Sequence, residues 1–219
     1  MTKSCILLGG GASISEGIAL GLWDKIKESD VWSLNFAFLT TPFLPKREIW
    51  VDVAFFRNNM DKLQSLYVKG VKCYAKKHPK YADIPEITTF ETTRDPNESD
   101  KKMFISRMGL SGFFALSLAV KEKYEVIYLL GFDWGQIEGE KNTHYYQGKI
   151  NVQSTGMGHP ELYRCPNGAI KDEIKDFEIF LKEPSKIYNV SPKSHIPYFE
   201  RIDYPTFFKL LENDRQEVL

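Results

Sequence analysis

Short apolar runs along the chain alternate with stretches whose apolar residues recur every three or four positions. Residues 5–8 (CILL) form an apolar run that ends in Gly9-Gly10-Gly11-Ala12-Ser13, and residues 15–28 then place Ile18, Leu22 and Ile26 four apart. That order predicts a strand, a tight turn and a helix capped by Ser13 or Ser15. Residues 30–38 (DVWSLNFAF) and 48–53 (EIWVDV) read as further strands, with Asn35 and Asp52 near their tips and a proline-punctuated connection between them. A helix over 55–66 and short strands over 70–74 and 86–90 follow. Residues 76–81 and 92–102 are polar and rich in breakers, so they read as surface loops. Residues 111–135 (SGFFALSLAVKEKYEVIYLLGFDWG) open on small residues, continue as an apolar helix and then as a buried strand ending in Gly131-Phe132-Asp133. A helix over 169–181, a strand over 185–190 and a helix over 204–211 close the pattern. Strands alternating with helices predict an α/β fold, a three-layer Rossmann-like plan around a mostly parallel sheet. Residues 134–168 lack a clear period and are rich in Gly, Gln, Asn, His and Tyr, which predicts a lid on a single domain spanning 1–219.

Composition narrows the function classes. The 219 residues suffice for one core, and the 29 Lys and Arg balance the 29 Asp and Glu. No global field draws the chain to nucleic acid or an anionic membrane. The three cysteines (Cys5, Cys73, Cys165) are far apart, so neither a disulfide framework nor a zinc site is indicated. No apolar run approaches the roughly 18 residues of a membrane span, and no leader pattern precedes the first strand, so a cytoplasmic protein is the expectation. A homo-oligomer is compatible with this composition.

Candidate chemistry gathers where two strands end. In open α/β sheets ligands bind outside the carboxyl ends of the strands. Gly9, Gly10, Gly11, Ala12 and Ser13 offer backbone N–H groups and a helix start to a phosphate, while Gly131 and Asp133 offer close approach beside a carboxylate. A dinucleotide reading is disfavoured. The glycines are consecutive, and Asn35 stands where a ribose-binding acid is expected.

The segments 5–17 (CILLGGGASISEG), 30–38, 107–133 and 142–148 (NTHYYQG) resemble, in the same order, the bacterial sialyltransferases of glycosyltransferase family 42. They are also similar to the group described as 6-hydroxymethylpterin pyrophosphokinase-like. The resemblance implies that Gly9, Gly10, Gly11, Asn35, Ser111 and Gly112 contact a cytidine nucleotide sugar. It further implies that Tyr145 and Tyr146 bind the leaving phosphate and that a lid histidine, His144 or His159, is the general base. Two departures stand out: the first loop is Gly-Gly-Gly where the sialyltransferases more often carry Gly-Asn-Gly, and Asp52 replaces an asparagine.

The chemistry implied is metal-independent transfer of a sugar from a nucleotide donor, a CMP-sugar by resemblance, to an acceptor hydroxyl. A neutral imidazole accepts the acceptor proton, and Tyr145, Tyr146 and Arg107 stabilise the departing phosphate by hydrogen bonds. No cofactor is then required. The alternatives are a pterin-type pyrophosphokinase, in which Asp52 and Asp133 could hold Mg²⁺, and a non-catalytic nucleotide-binding module.

Overall fold

The computed structural model describes residues 2–99, 101–105, 110–135, 137, 144–147 and 173–216. Among them one eight-stranded sheet dominates. Its strands are β1 (Ser4–Leu8), β2 (Val31–Leu34), β3 (Arg47–Trp50), β4 (Lys72–Lys76), β5 (Ile87–Phe90), β8 (Val126–Leu130), β9 (Lys186–Asn189) and β10 (Glu200–Arg201), in the order β10-β9-β8-β1-β2-β3-β4-β5. Every neighbouring pair is parallel. Two further strands, β6 (Thr92–Thr93) and β7 (Met103–Phe104), pair apart from it.

β1 shows why an apolar run becomes a central strand. Ile6 and Leu8 join one hydrophobic cluster, Cys5 and Leu7 the other, and all four are buried. Such runs suit a parallel sheet covered on both faces. The first face packs beneath α1 (Ile14–Ala19), α2 (Leu22–Ile26), α3 (Val53–Val68) and α5 (Tyr204–Gln216). The second packs beneath α4 (Ser111–Lys121) and a 3-10 helix, Asp176–Lys182. Helix α4 is apolar on nearly every side because β7 lies over it as well as the sheet beneath.

The pattern misread several places, among them the expected surface loop over 76–81, where Tyr81 is buried in the core. The expected helix over 15–28 is two short helices separated at Leu20 and Gly21. Residues 35–38, expected as strand, form a 3-10 helix, Asn35–Leu39, that turns the chain away at the tip of β2. The expected surface loop over 92–102 contributes buried Thr93 to a strand pair. The described end of the 169–181 helix is mostly 3-10. The helix break is local, set by Gly21 in the left-handed region with φ of 80°, whereas Asn35 and Thr93 are held by Ser111 and by β7, contacts a local period does not encode.

The order of strands creates a crevice. From β1 the chain adds strands on one side as far as β5, then crosses to β8 on the other side of β1. The loops after β1 and β8 therefore diverge at the sheet's switch point.

Candidate active site

At that point the two loops are stitched together. The Gly9 N–H donates to Leu130 O at 2.8 Å and the Gly11 N–H to Gly131 O at 2.9 Å. A Cβ on Gly9 would lie 2.8 Å from Gly131 O, and one on Gly11 would lie 2.6 Å from the same oxygen and against the Asp133 carboxylate. Gly9 and Gly11 are thus needed for loop-to-loop contact. Gly131 itself has φ of 69°, a region glycine enters without penalty.

Asp133 locks the pair. Its carboxylate accepts the Ser13 N–H at 2.8 Å and the Ser13 hydroxyl at 2.5 Å. Burial pushes the Asp133 carboxyl above the usual carboxylate range, against the pull of those hydrogen bonds. With Gly9, Gly11 and Ser13 all donating inside the protein, the loop has fewer amides for a phosphate than its composition suggests. α1 is also only six residues long.

The segment 144–147 lies over the first loop. Gly11 and His144 form an antiparallel bridge, and the Tyr145 N–H donates to Gly10 O at 3.0 Å. A Cβ on Gly10 would fall 2.6 Å from the Tyr146 hydroxyl and 2.7 Å from His144 Cδ2. The His144 and Tyr146 rings stack with centroids 5.2 Å apart. Burial drives the half-buried His144 imidazole down to about 4, so it is uncharged at neutral pH. Tyr145 is buried, its hydroxyl 2.5 Å from the Thr40 hydroxyl, and burial raises it to about 12.

The other expected residues divide into near and far. The Ser111 hydroxyl, at the start of α4, donates to Asn35 Oδ1 at 3.1 Å and accepts the Val51 N–H at 3.3 Å, so it joins the tips of β2 and β3. Asn35 holds a positive φ of 53° there. Gly112 faces the crevice loop, its virtual Cβ 3.0 Å from Phe132. Ala12 is buried between Gly11 and Ser13. Asp52 stands apart: it is exposed and its carboxylate caps α3 by accepting the Ala54 N–H at 2.7 Å. Arg107, His159 and most of the expected lid lie outside the described residues.

No family model matches the chain, and no curated protein sequence matches it significantly. Two solved structures do. One is the Maf glycosyltransferase of Magnetospirillum magneticum AMB-1, with a TM-score of 0.59 and 12% identity over 100% of this chain. The other is the monofunctional alpha-2,3-sialyltransferase Cst-I of Campylobacter jejuni, with a TM-score of 0.56 and 13% identity over 98% of this chain and 95% of that one. The fold is glycosyltransferase-like. The chain spans 37% of the length of the Magnetospirillum enzyme.

Sequence reasoning passed over residues that the fold brings to the crevice. The loop after β9 carries Ser194, whose hydroxyl donates to Phe132 O at 2.7 Å, and His195, whose N–H donates to Asp133 O at 2.8 Å. Position just beyond a strand's carboxyl end was the available signal. A separate cleft of about 770 Å³, lined by Lys121, Tyr124, Val126 and Pro184, opens by the first residue of β8. It lies at the opposite end of the sheet, so its volume does not mark the site.

Proposed function

We propose that this protein transfers a sugar from a nucleotide-sugar donor to an acceptor hydroxyl. The observation that carries this reading is the junction of the Gly9–Ser13 and Gly131–Asp133 loops at the switch point of a glycosyltransferase-like fold. The donor phosphates lie between the amides of Gly10 and Ala12 and the first turn of α4 at Ser111 and Gly112, where the helix dipole favours an anion. Asn35 is the donor-sugar contact, fixed by its bond from Ser111. Tyr146, whose hydroxyl faces Gly10, supplies a hydrogen bond that strengthens as the leaving phosphate gains charge. Tyr145 acts by position, since its hydroxyl is already engaged by Thr40. Asp133 holds the two loops in register through Ser13.

A donor with a cytidine base and a reaction that needs no divalent ion complete the proposal, both carried over from the resemblance to the sialyltransferases. A thermal-shift screen with CMP, UDP, GDP and ATP tests the binding step. A nucleotide at 100 times its dissociation constant should add about 2.7 kcal/mol of stability. Transfer from the matching nucleotide sugar, unaffected by EDTA, is the expected second result. Stabilisation by none of these nucleotides would sink the reading, and Mg²⁺-dependent consumption of ATP with a pterin would replace it with the pyrophosphokinase. Binding with no turnover of any donor would leave a nucleotide-binding module.

A further inference from the structure

We propose that His195 is the proton-accepting residue of this crevice, the group that receives the acceptor hydroxyl's proton as the sugar is transferred. The assignment rests on the glycosyltransferase reading above. His195 sits in the loop between β9 and β10, at the same end of the sheet as the two stitched loops.

The backbone that carries it is fixed to the second crevice loop. The His195 N–H reaches Asp133 O at 2.8 Å, and the Ser194 hydroxyl reaches Phe132 O at 2.7 Å. Asn189 Nδ2 donates both to that carbonyl, at 3.2 Å, and to the Ser194 oxygen, at 2.8 Å. The Ile196 N–H closes the turn on Ser194 at 3.2 Å. These buried bonds hold a residue whose own side chain is exposed. A catalytic group needs that combination, a fixed base and a reachable tip.

Its ring has a made place. The imidazole lies on Gly135, where a Cβ would come within 2.6 Å of His195 Cδ2 and 3.0 Å of Nε2, and Gly135 holds φ of 154°. Any other residue there would displace the ring and strain the backbone. Next to it Trp134 keeps a positive φ of 56°, a conformation a bulky residue adopts only when its surroundings demand it. The Trp134 ring comes 3.4 Å from a virtual Cβ on Gly112, in the first turn of α4. Trp134 and Gly135 thus connect the first turn of α4, near the proposed phosphate position, to the imidazole along the chain.

The other described candidates are worse placed to accept a proton. The His144 ring is stacked on Tyr146 above Gly10, and burial makes it a weak base. The Asp133 carboxylate is 2% exposed and taken up by Ser13. In the step itself the acceptor oxygen bonds to the anomeric carbon of the donor sugar. The bond from that carbon to the phosphate oxygen breaks, and its electron pair leaves with the nucleotide. The acceptor proton passes to an imidazole nitrogen of His195 and from there to water.

The test uses the full chain, the nucleotide that stabilises it and the corresponding nucleotide sugar. His195→Ala should lower kcat on the order of a hundredfold or more, leave nucleotide affinity within about twofold, and regain turnover when free imidazole is added. His195→Gln, which keeps a hydrogen-bonding side chain but no proton acceptor of comparable strength, should lose turnover as the alanine variant does. Wild-type turnover with both variants fully active overturns the assignment and leaves the transferase reading standing. So does a loss that imidazole fails to restore and that weakened nucleotide binding accompanies, since that marks a structural role. A wild-type protein that binds nucleotide yet turns over no donor overturns the assignment too, and one that binds none overturns the reading of the site with it.

Discussion

Gly11 is the residue on which the crevice geometry turns. Its replacement by alanine would drive a methyl group into Gly131 O, 2.6 Å away, and into the Asp133 carboxylate. Overpacking of this kind costs about 1–3 kcal/mol, so urea denaturation of Gly11→Ala should show a loss of that size and weaker binding of any crevice ligand. Glu48 presents a different case. It lies in the middle of β3, fully buried, bonded by the Ser33 hydroxyl on one oxygen and unpartnered on the other. Burial raises its carboxyl well above the ordinary 4.5, so the folded protein retains a proton that the unfolded chain releases. Stability from this source is complete below the unfolded value and falls as pH climbs from there toward the folded one. Glu48→Gln removes that dependence. Its stability relative to wild type should therefore rise between pH 4 and pH 8 in denaturation series, and a constant difference would contradict the buried-acid account.

Among elements, the short segment 144–147 is the piece with a titratable attachment. It docks through the Gly11–His144 bridge and the bond from Tyr145 to Gly10 O, with His144 held uncharged by burial. The folded imidazole titrates near 4 and the unfolded one near 6.5. A depressed value means that docking is favoured above 6.5 and weakens as pH falls from 6.5 through 4. Hydrogen exchange of the Tyr145 amide, corrected for intrinsic rate, should show protection lost across that window. Persistence of full protection at pH 4 would contradict it. The Tyr145 hydroxyl adds a pH-independent anchor at Thr40, and Tyr145→Phe should cost about 0.5–1.5 kcal/mol in a denaturation curve.

Over the whole molecule, the parallel sheet holds both crevice loops at one end and the Arg47 network at the other. There Arg47 pairs with Glu122 at 2.6 Å and stacks 4.0 Å above the Trp32 ring, while Tyr124 bonds Asp30. The proposed ligand site and this charged network thus lie at opposite ends of the same strands. Among the described residues no helix is long and apolar enough to cross a membrane.

Much of this was legible in the residues. The apolar run of β1, the all-round apolar character of α4 and the strand ending in Gly131 each mark local structure by themselves, because burial on both faces demands apolar residues at successive positions. The α/β alternation, and with it the location of a crevice after β1 and β8, follows from those local signals and from the rule for strand ends. What the glycines do there was decided by tertiary structure. Gly9 and Gly11 read as a phosphate cradle, yet their amides donate to Leu130 O and Gly131 O, partners more than a hundred residues away in sequence. Asp133 and Ser13 likewise meet only because β8 lies beside β1. His195 follows the last long strand in a breaker-rich loop, with no period or motif to distinguish it. Its place beside Asp133 depends on the pairing of β9 with β8, a contact that acts through space and leaves no spacing in the sequence.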